Sequence, residues 1–338
     1  MFGQPSAASR LFERVAILPA TLMGFVFATS GWHQLWLSLL SVVVFTLNAA
    51  PLEIQRRIVD AAVKGGAFRP ILLLTIGYLA VVLAFGLIKL LTNVYRGWIA
   101  ESAVRALRLV IDRRLDDIDH KRRQGTTDAV SISMILAECD DIGGFVGTSI
   151  SVPILEGGFL VTVFAYLAYL QPWMALIGFA VLTPQLIFVP LMQRAINRRV
   201  THRITLLRSV GRDILVVHSA SSSRDEHRKF DLVFSLNLGV VKLKTTMNFL
   251  MNFTYSLGIG AILGFGGWLV LQGQADIATV VTFVSALGKI VDPWNDLVDW
   301  ATGLAVSSTK YRLVEQQVLR MQTEASRRPI DEAAHPRP

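Results

Sequence analysis

Lys289, Asp292, Asp296 and Asp299 follow one another at spacings of three, four and three residues within the largely apolar stretch 277–300. On a helix that pattern brings all four charges onto one face. Charges in apolar surroundings are costly and normally face a cavity or a partner. Three carboxylates and one ammonium on such a face suit a polar wall that receives cationic or zwitterionic groups. The other reading is that they are solvated beyond the apolar stretch or paired among themselves, Lys289 with Asp292 for example.

Glu156 stands alone between Leu155 and Gly157-Gly158 in another apolar stretch. A carboxyl group there can hold a proton, a cation or a ligand, or it can pair with Lys89 or Arg96. Asn93 and Arg96 follow Lys89 at near-helical spacing, so that face is polar as well. Tyr166, Tyr169, Trp173, Phe249, Phe253 and Tyr255 either line an apolar site or pack and anchor, and Thr92, Tyr95 and Trp98 read as interfacial. His120, His202, His218 and His227 have no His or Cys partner at metal-ligand spacing, so no metal site is expected. Ser, His and Asp all occur at 218–225, but on what reads as an exposed turn with no pocket, which argues against hydrolysis.

The elements that must position these residues follow from composition. The 338 residues are 52% hydrophobic and 17% charged, with a mean hydropathy of +0.49. A soluble domain is about a quarter charged, so a soluble enzyme and a disordered chain are both excluded. One cysteine, Cys139, rules out an intramolecular disulfide framework and a cysteine-based zinc cluster. Uncharged runs at 35–52 and 71–88, a charge-free stretch at 157–193 broken by Gln171-Pro172-Trp173, another at 245–275, and the stretch from 277 make six spans. Each approaches the roughly 20 residues that a helix needs to cross a bilayer.

The basic residues set an orientation. With the N-terminus inside, two lie before the first span, seven at 105–123, eleven at 194–244 and six at 310–337, all on the inner side. Arg56, Arg57, Lys64 and Arg69 lie outside, and Lys89, Arg96 and Lys289 fall near membrane depth. By the positive-inside rule both termini are cytoplasmic, and the expected location is a bacterial inner (plasma) membrane. The same partition accounts for the net charge of +8, so no nucleic-acid partner is expected. Residues 1–33 read as a cytoplasmic N-terminus with an interfacial helix at 15–28, the alternative being a signal peptide. Residues 34–320 form the six-span domain, and 321–338 read as a disordered tail.

Two inner excursions are long and helical in pattern. Val104, Leu107, Ile111, Leu115 and Ile118 share one helical face, as do Ile196, Val200, Ile204, Leu207 and Ile214. Spans two and four therefore continue into the cytoplasm as arms of roughly 30 Å. Their tips lie near 116–128 and 216–228.

Six spans with arms after the second and fourth resemble the transmembrane domain of an ABC exporter, from the interfacial helix to about residue 318. Pro51-Leu52 and Ile58-Val59-Asp60 resemble the family's close of the first span, and 101–115 resembles its second-span extension, with Arg108 at the usual arginine. Gly125 and then Asp140-Asp141-Ile142 resemble the first tip and its acidic turn, with Cys139-Asp140 where an asparagine-aspartate pair is usual. Ile290-Val291-Asp292-Pro293-Trp294 matches the proline of the last span. Order and lengths together are specific; no single motif is. The resemblance implies an all-α integral membrane fold. It also implies that the chain forms half of a translocation pathway in the lipid bilayer, completed by itself or a sister subunit. In that family the tips are coupling helices seated on ATPase domains, which gives that role to His120, Lys121, Arg122, Arg123 and Gly125, and to Ser219, Ala220, Ser221, Ser222 and Ser223.

One departure is large. No Gly-x-x-x-x-Gly-Lys-Ser/Thr occurs. Gly264-Phe265-Gly266-Gly267 lies in a span without a following lysine and reads as helix packing. Only 20 residues follow Val318, too few for an ATPase domain. The expectation is a permease subunit that binds no cofactor itself, with ATP and Mg on a separate nucleotide-binding ATPase subunit. Two other classes remain open: a proton-driven secondary transporter of the same fold, using Glu156 or the sixth-span aspartates, and a non-transporting membrane scaffold.

Overall fold

The structure is a computed structural model that describes residues 18–116, 138–216 and 223–326. All regular structure among them is helical. The six long helices are α1 Leu22–Val63, α2 Phe68–Asp116, α3 Glu138–Leu170, α4 Pro172–Val216, α5 Ser223–Leu271 and α6 Ile277–Ser326. Each contains a stretch long and apolar enough to cross a membrane, as the six expected spans require. With 49 residues in α2, 45 in α4, 49 in α5 and 50 in α6, these helices run far beyond the roughly 20 residues of one crossing. The excess is the polar extension read from the sequence. The apolar stretch of α2 buries none of its residues within the chain. Leu73, Leu79 and Leu83 are at least 60% exposed. Such a surface is untenable in water, and lipid removes the cost.

Two short turns are closed by glycine. Gly65 has φ +68° and Gly273 has φ +69°, a left-handed conformation that costs glycine little. In each, the glycine N–H bonds three residues back (Ala62, Val270) and the next N–H bonds five back (Ala61, Leu269), which satisfies the last carbonyls of α1 and α5. At the first turn Lys64 donates to Asp60 at 2.9 Å, and that bond holds its ammonium above the usual lysine range. α1 reaches this turn by running through Pro51. Pro51 thus stands inside the helix and Asp60 in its last turn. Proline removes one hydrogen bond, and the apolar surroundings of the span keep the rest formed.

The described residues divide into two compact units, one within 1–54, 72–162 and 292–338, the other within 55–71 and 163–291. In the first unit, α1 breaks at Ser30, which has φ −139° and ψ 16°. Gln34 bridges the break, donating to Ser30 Oγ at 3.1 Å and to the Val146 carbonyl at 2.9 Å. Phe25, before the break, lies 5.4 Å from the ring of Tyr311. Around them packs a core of Ile99, Leu107, Ile111, Cys139, Ile142 and Val314. Val104, Leu107 and Ile111 are all buried, so the expected face of α2 does face a core. The side chains of Leu115 and Ile118 lie outside the described residues. Asp140 and Asp141 sit in the helix α3 rather than in a turn. Arg108 of α2 donates to Asp140 at 2.6 Å, and Lys310 of α6 pairs with Asp141.

In the second unit α4 and α5 pack along each other. Gln185 donates to the Met251 carbonyl, Arg199 to the Gly239 carbonyl and Arg203 to Asn237. Of the expected α4 face, Ile196 is buried, Val200 half-buried and Leu207 exposed, and the side chains of Ile204 and Ile214 lie outside the described residues. Of the glycine cluster, Gly266 is the packing residue: a Cβ there would meet Met174 at 2.9 Å and Val280 at 3.0 Å, while Gly264 and Gly267 face open space.

Candidate functional site

The site begins with Pro153. It has no N–H to give to the carbonyl of Ser149 four residues back. That carbonyl instead accepts the indole N–H of Trp300 from α6 at 2.9 Å. The helix accommodates the lost bond by widening into a π-helical turn, Pro153–Gly157, a local insertion that frequently marks functional positions. Glu156 is carried by this turn. Directly after it, Gly158 allows the ring of Phe45 to lie against the backbone; a Cβ there would be 2.5 Å from that ring.

Beside this turn is a cavity of about 630 Å³ within the first unit. α3 lines it with Asp141, Phe145, Thr148, Val152 and Glu156, at helical spacing. α6 lines it with Asp296, Asp299, Trp300, Gly303 and Ser307, and α2 contributes Arg96. Four carboxylates and one guanidinium thus line one cavity, and one of the four carboxylates, Asp141, is held by Lys310. Arg96 and Glu156 act on each other electrostatically, and Asp296 acts on both. Yet Nε and Nη2 of Arg96 are enclosed and have no hydrogen-bond acceptor. Lys89 also lies within electrostatic reach of Glu156, with its ammonium 5.6 Å from the centre of the Phe85 ring.

The structure therefore brings Glu156, Arg96, Asp296 and Asp299 to one cavity. Lys289, Asp292 and Lys89 are not among its lining residues, although Asp292 and Lys89 both act electrostatically on Glu156. All four sixth-span charges share a helical face, but Asp292 stands about 6 Å along the axis from Asp296, so the separation lies along the helix and not around it. Asp141, Phe145 and Trp300 complete the wall. They continue the same helical periodicities as Glu156 and Asp296, and that was their signal in the sequence. Tyr169, Trp173, Phe249 and Phe253 are each at least half exposed within the chain. Tyr95 and Trp98 are joined by His33 of α1, which shares a 2.7 Å hydrogen bond with the Tyr95 hydroxyl and lies edge-on to Trp98. Both expected coupling tips, His120, Lys121, Arg122, Arg123 and Gly125 in one and Ser219 to Ser222 in the other, lie outside the described residues, and Ser223 is the first residue of α5.

An open, net acidic cavity between three membrane helices, with Trp300 and Phe145 in its wall, is suited to cationic groups on an apolar body. No curated protein matches the chain. The family model of the ABC transporter transmembrane region matches residues 35–203, half of the chain, and covers α2 and α3 entire with the greater part of α1 and α4. Six membrane-length helices and this match agree: the chain belongs to the ABC transporter transmembrane family, as an integral membrane protein.

Proposed function

We propose that the chain is the permease subunit of an ABC-type exporter, forming half of a translocation pathway that a second copy or a sister subunit completes. Its drive comes from an ATPase on a separate polypeptide. ATP closure of that ATPase moves the tips, and the helices switch the cavity between inward and outward opening. The observation that carries this reading is the continuity of α2 and α5 from apolar span to polar extension without a break or an internal proline. Each runs for 49 residues and transmits displacement from its end to its middle, because bending a helix requires a proline, a bulge or an inserted group; α4 and α6 carry such prolines, Pro184, Pro190 and Pro293. Residues 1–338 contain no phosphate-binding Gly-x-x-x-x-Gly-Lys-Ser/Thr, so in this reading the nucleotide is bound outside them. Both termini are cytoplasmic in this reading.

The test is co-purification and ATP turnover with a stand-alone ATPase encoded beside it. The expected result is a complex whose ATP turnover is changed by Arg122→Glu with Arg123→Glu, without loss of folded membrane subunit. Robust ATP turnover by the chain alone, or flux that follows a pH gradient without ATP, overturns it.

A further inference from the structure

One edge of the Arg96 guanidinium is enclosed. Nε and Nη2 form the side-on edge of the guanidinium, the pair of parallel N–H groups that fits a carboxylate bidentately. Here both are shut off from solvent with no acceptor. A charged donor left so is in a costly resting place. The acceptors within its electrostatic reach are Glu156 and Asp296, which line the same cavity. They sit on two different helices. Glu156 is on a π-helical turn, a local insertion in α3. Gly147 brings α3 so close to α2 that a Cβ there would stand 2.6 Å from the Arg96 carbonyl. The backbone of Arg96 is thus pinned, and only its side chain is free to reach one way or the other.

We infer that Arg96 is a built-in competitor for the carboxylates of this cavity: it either withdraws, as in this structure, and leaves Glu156 and Asp296 to an organic cation, or swings in to pair with them and expels that cation. The ligand class is a monocation with an apolar body, whose ammonium meets the carboxylates while its ring lies against Trp300 and Phe145. The cavity of about 630 Å³ is in the range of small-molecule sites. This rests on reading the cavity as the cargo-bearing part of a permease. It adds a release step: the charge that displaces the cargo belongs to the protein, so emptying the site does not leave buried carboxylates uncompensated.

The experiment measures binding to the full chain in nanodiscs by saturation-transfer NMR, using phenethylammonium, with 2-phenylethanol and phenylacetate as neutral and anionic probes of the same size. Wild type binds phenethylammonium in preference to the other two. Arg96→Gln removes the competitor and tightens phenethylammonium by about fivefold or more, the lower range of a site-to-site coupling. Arg96→Lys keeps the charge but not the fork and also tightens it. In an Asp296→Asn/Glu156→Gln background the Arg96→Gln effect disappears. Unchanged or weaker binding in Arg96→Gln overturns the inference, because Arg96 then holds the ligand or does nothing. If Arg96→Lys binds like wild type while Arg96→Gln tightens, only the field of the charge matters and the pairing is overturned. Where Arg96→Gln does not fold, Arg96→Lys alone decides by the same sign. The assay needs no ATPase, so its failure leaves the coupling reading standing, and failure of coupling leaves this result interpretable.

Discussion

Trp300 of α6 donates its indole N–H to the carbonyl of Ser149 at 2.9 Å, and that carbonyl is the one Pro153 leaves without its helical partner. A proline in α3 thus creates the acceptor that ties α6 to the wall of the cavity. Replacing Trp300 with Phe leaves the carbonyl unsatisfied, at a cost of about 1–3 kcal/mol. Pro153→Ala returns a helical donor to it. In the double variant the Trp300→Phe cost falls, with a coupling of about 0.5 kcal/mol or more. Thermal unfolding of the four proteins in one detergent reads this cycle. Strict additivity rejects the link.

Two neighbouring glycines should behave oppositely. A Cβ on Gly143 would stand 2.2 Å from Val104 Cγ2 and 2.9 Å from the Ala100 carbonyl, while one on Gly144 meets nothing within 4 Å. Alanine is the better helix former by about 1 kcal/mol. Gly144→Ala is therefore neutral or stabilising, whereas Gly143→Ala destabilises by about 1–3 kcal/mol because α2 must move away. Melting temperatures of the two variants settle the order, and equal shifts contradict the close approach of α2 and α3.

Tyr311 is buried and donates to the Pro19 carbonyl at 2.7 Å while its ring packs on Phe25. Tyr311→Phe keeps the ring and loses the bond, for a cost of about 1 kcal/mol. Tyr311→Ala loses both, for about 3–5 kcal/mol. If the two substitutions cost the same, the ring contributes nothing and the packing of residues 22–29 on α6 is misread.

Asp292 and Asp296 share a face of α6, but Asp296 alone of the two lines the cavity. Asp296→Asn lowers the preference of the full chain for phenethylammonium over 2-phenylethanol by about five- to tenfold, a local charge effect of one near-contact pair. Asp292→Asn changes it far less. Equal effects in the same binding assay mean that the cavity reaches further up the helix than its lining shows.

Twenty-six basic residues on the expected inner side against four on the outer predict the topology. In a Cys139→Ser background, single cysteines at Lys64 and Gln274 react with an impermeant maleimide from outside, and one at Lys242 from the cytoplasm. Cys139 is fully buried, so its removal does not disturb the reactive surface. Labelling of position 64 or 274 only from the cytoplasm reverses the topology.

Six spans, their order and their long polar extensions could be read from residues alone, because hydropathy and helical periodicity are properties of neighbours in sequence. So could Glu156, Arg96, Asp296 and Asp299 as charges that need a reason to be where they are. Helical spacing also grouped Lys289 and Asp292 with the last two, since a periodicity fixes the angle around an axis and says nothing of how far along it a cavity extends. Tertiary structure decided that limit. It also decided that Pro51 lets α1 continue, that Asp140 and Asp141 staple α3 to α2 and α6, and that Ser149 answers to Trp300, 151 residues away. These are meetings of groups far apart in the chain. They depend on which helix faces lie together, and only the packed core sets that.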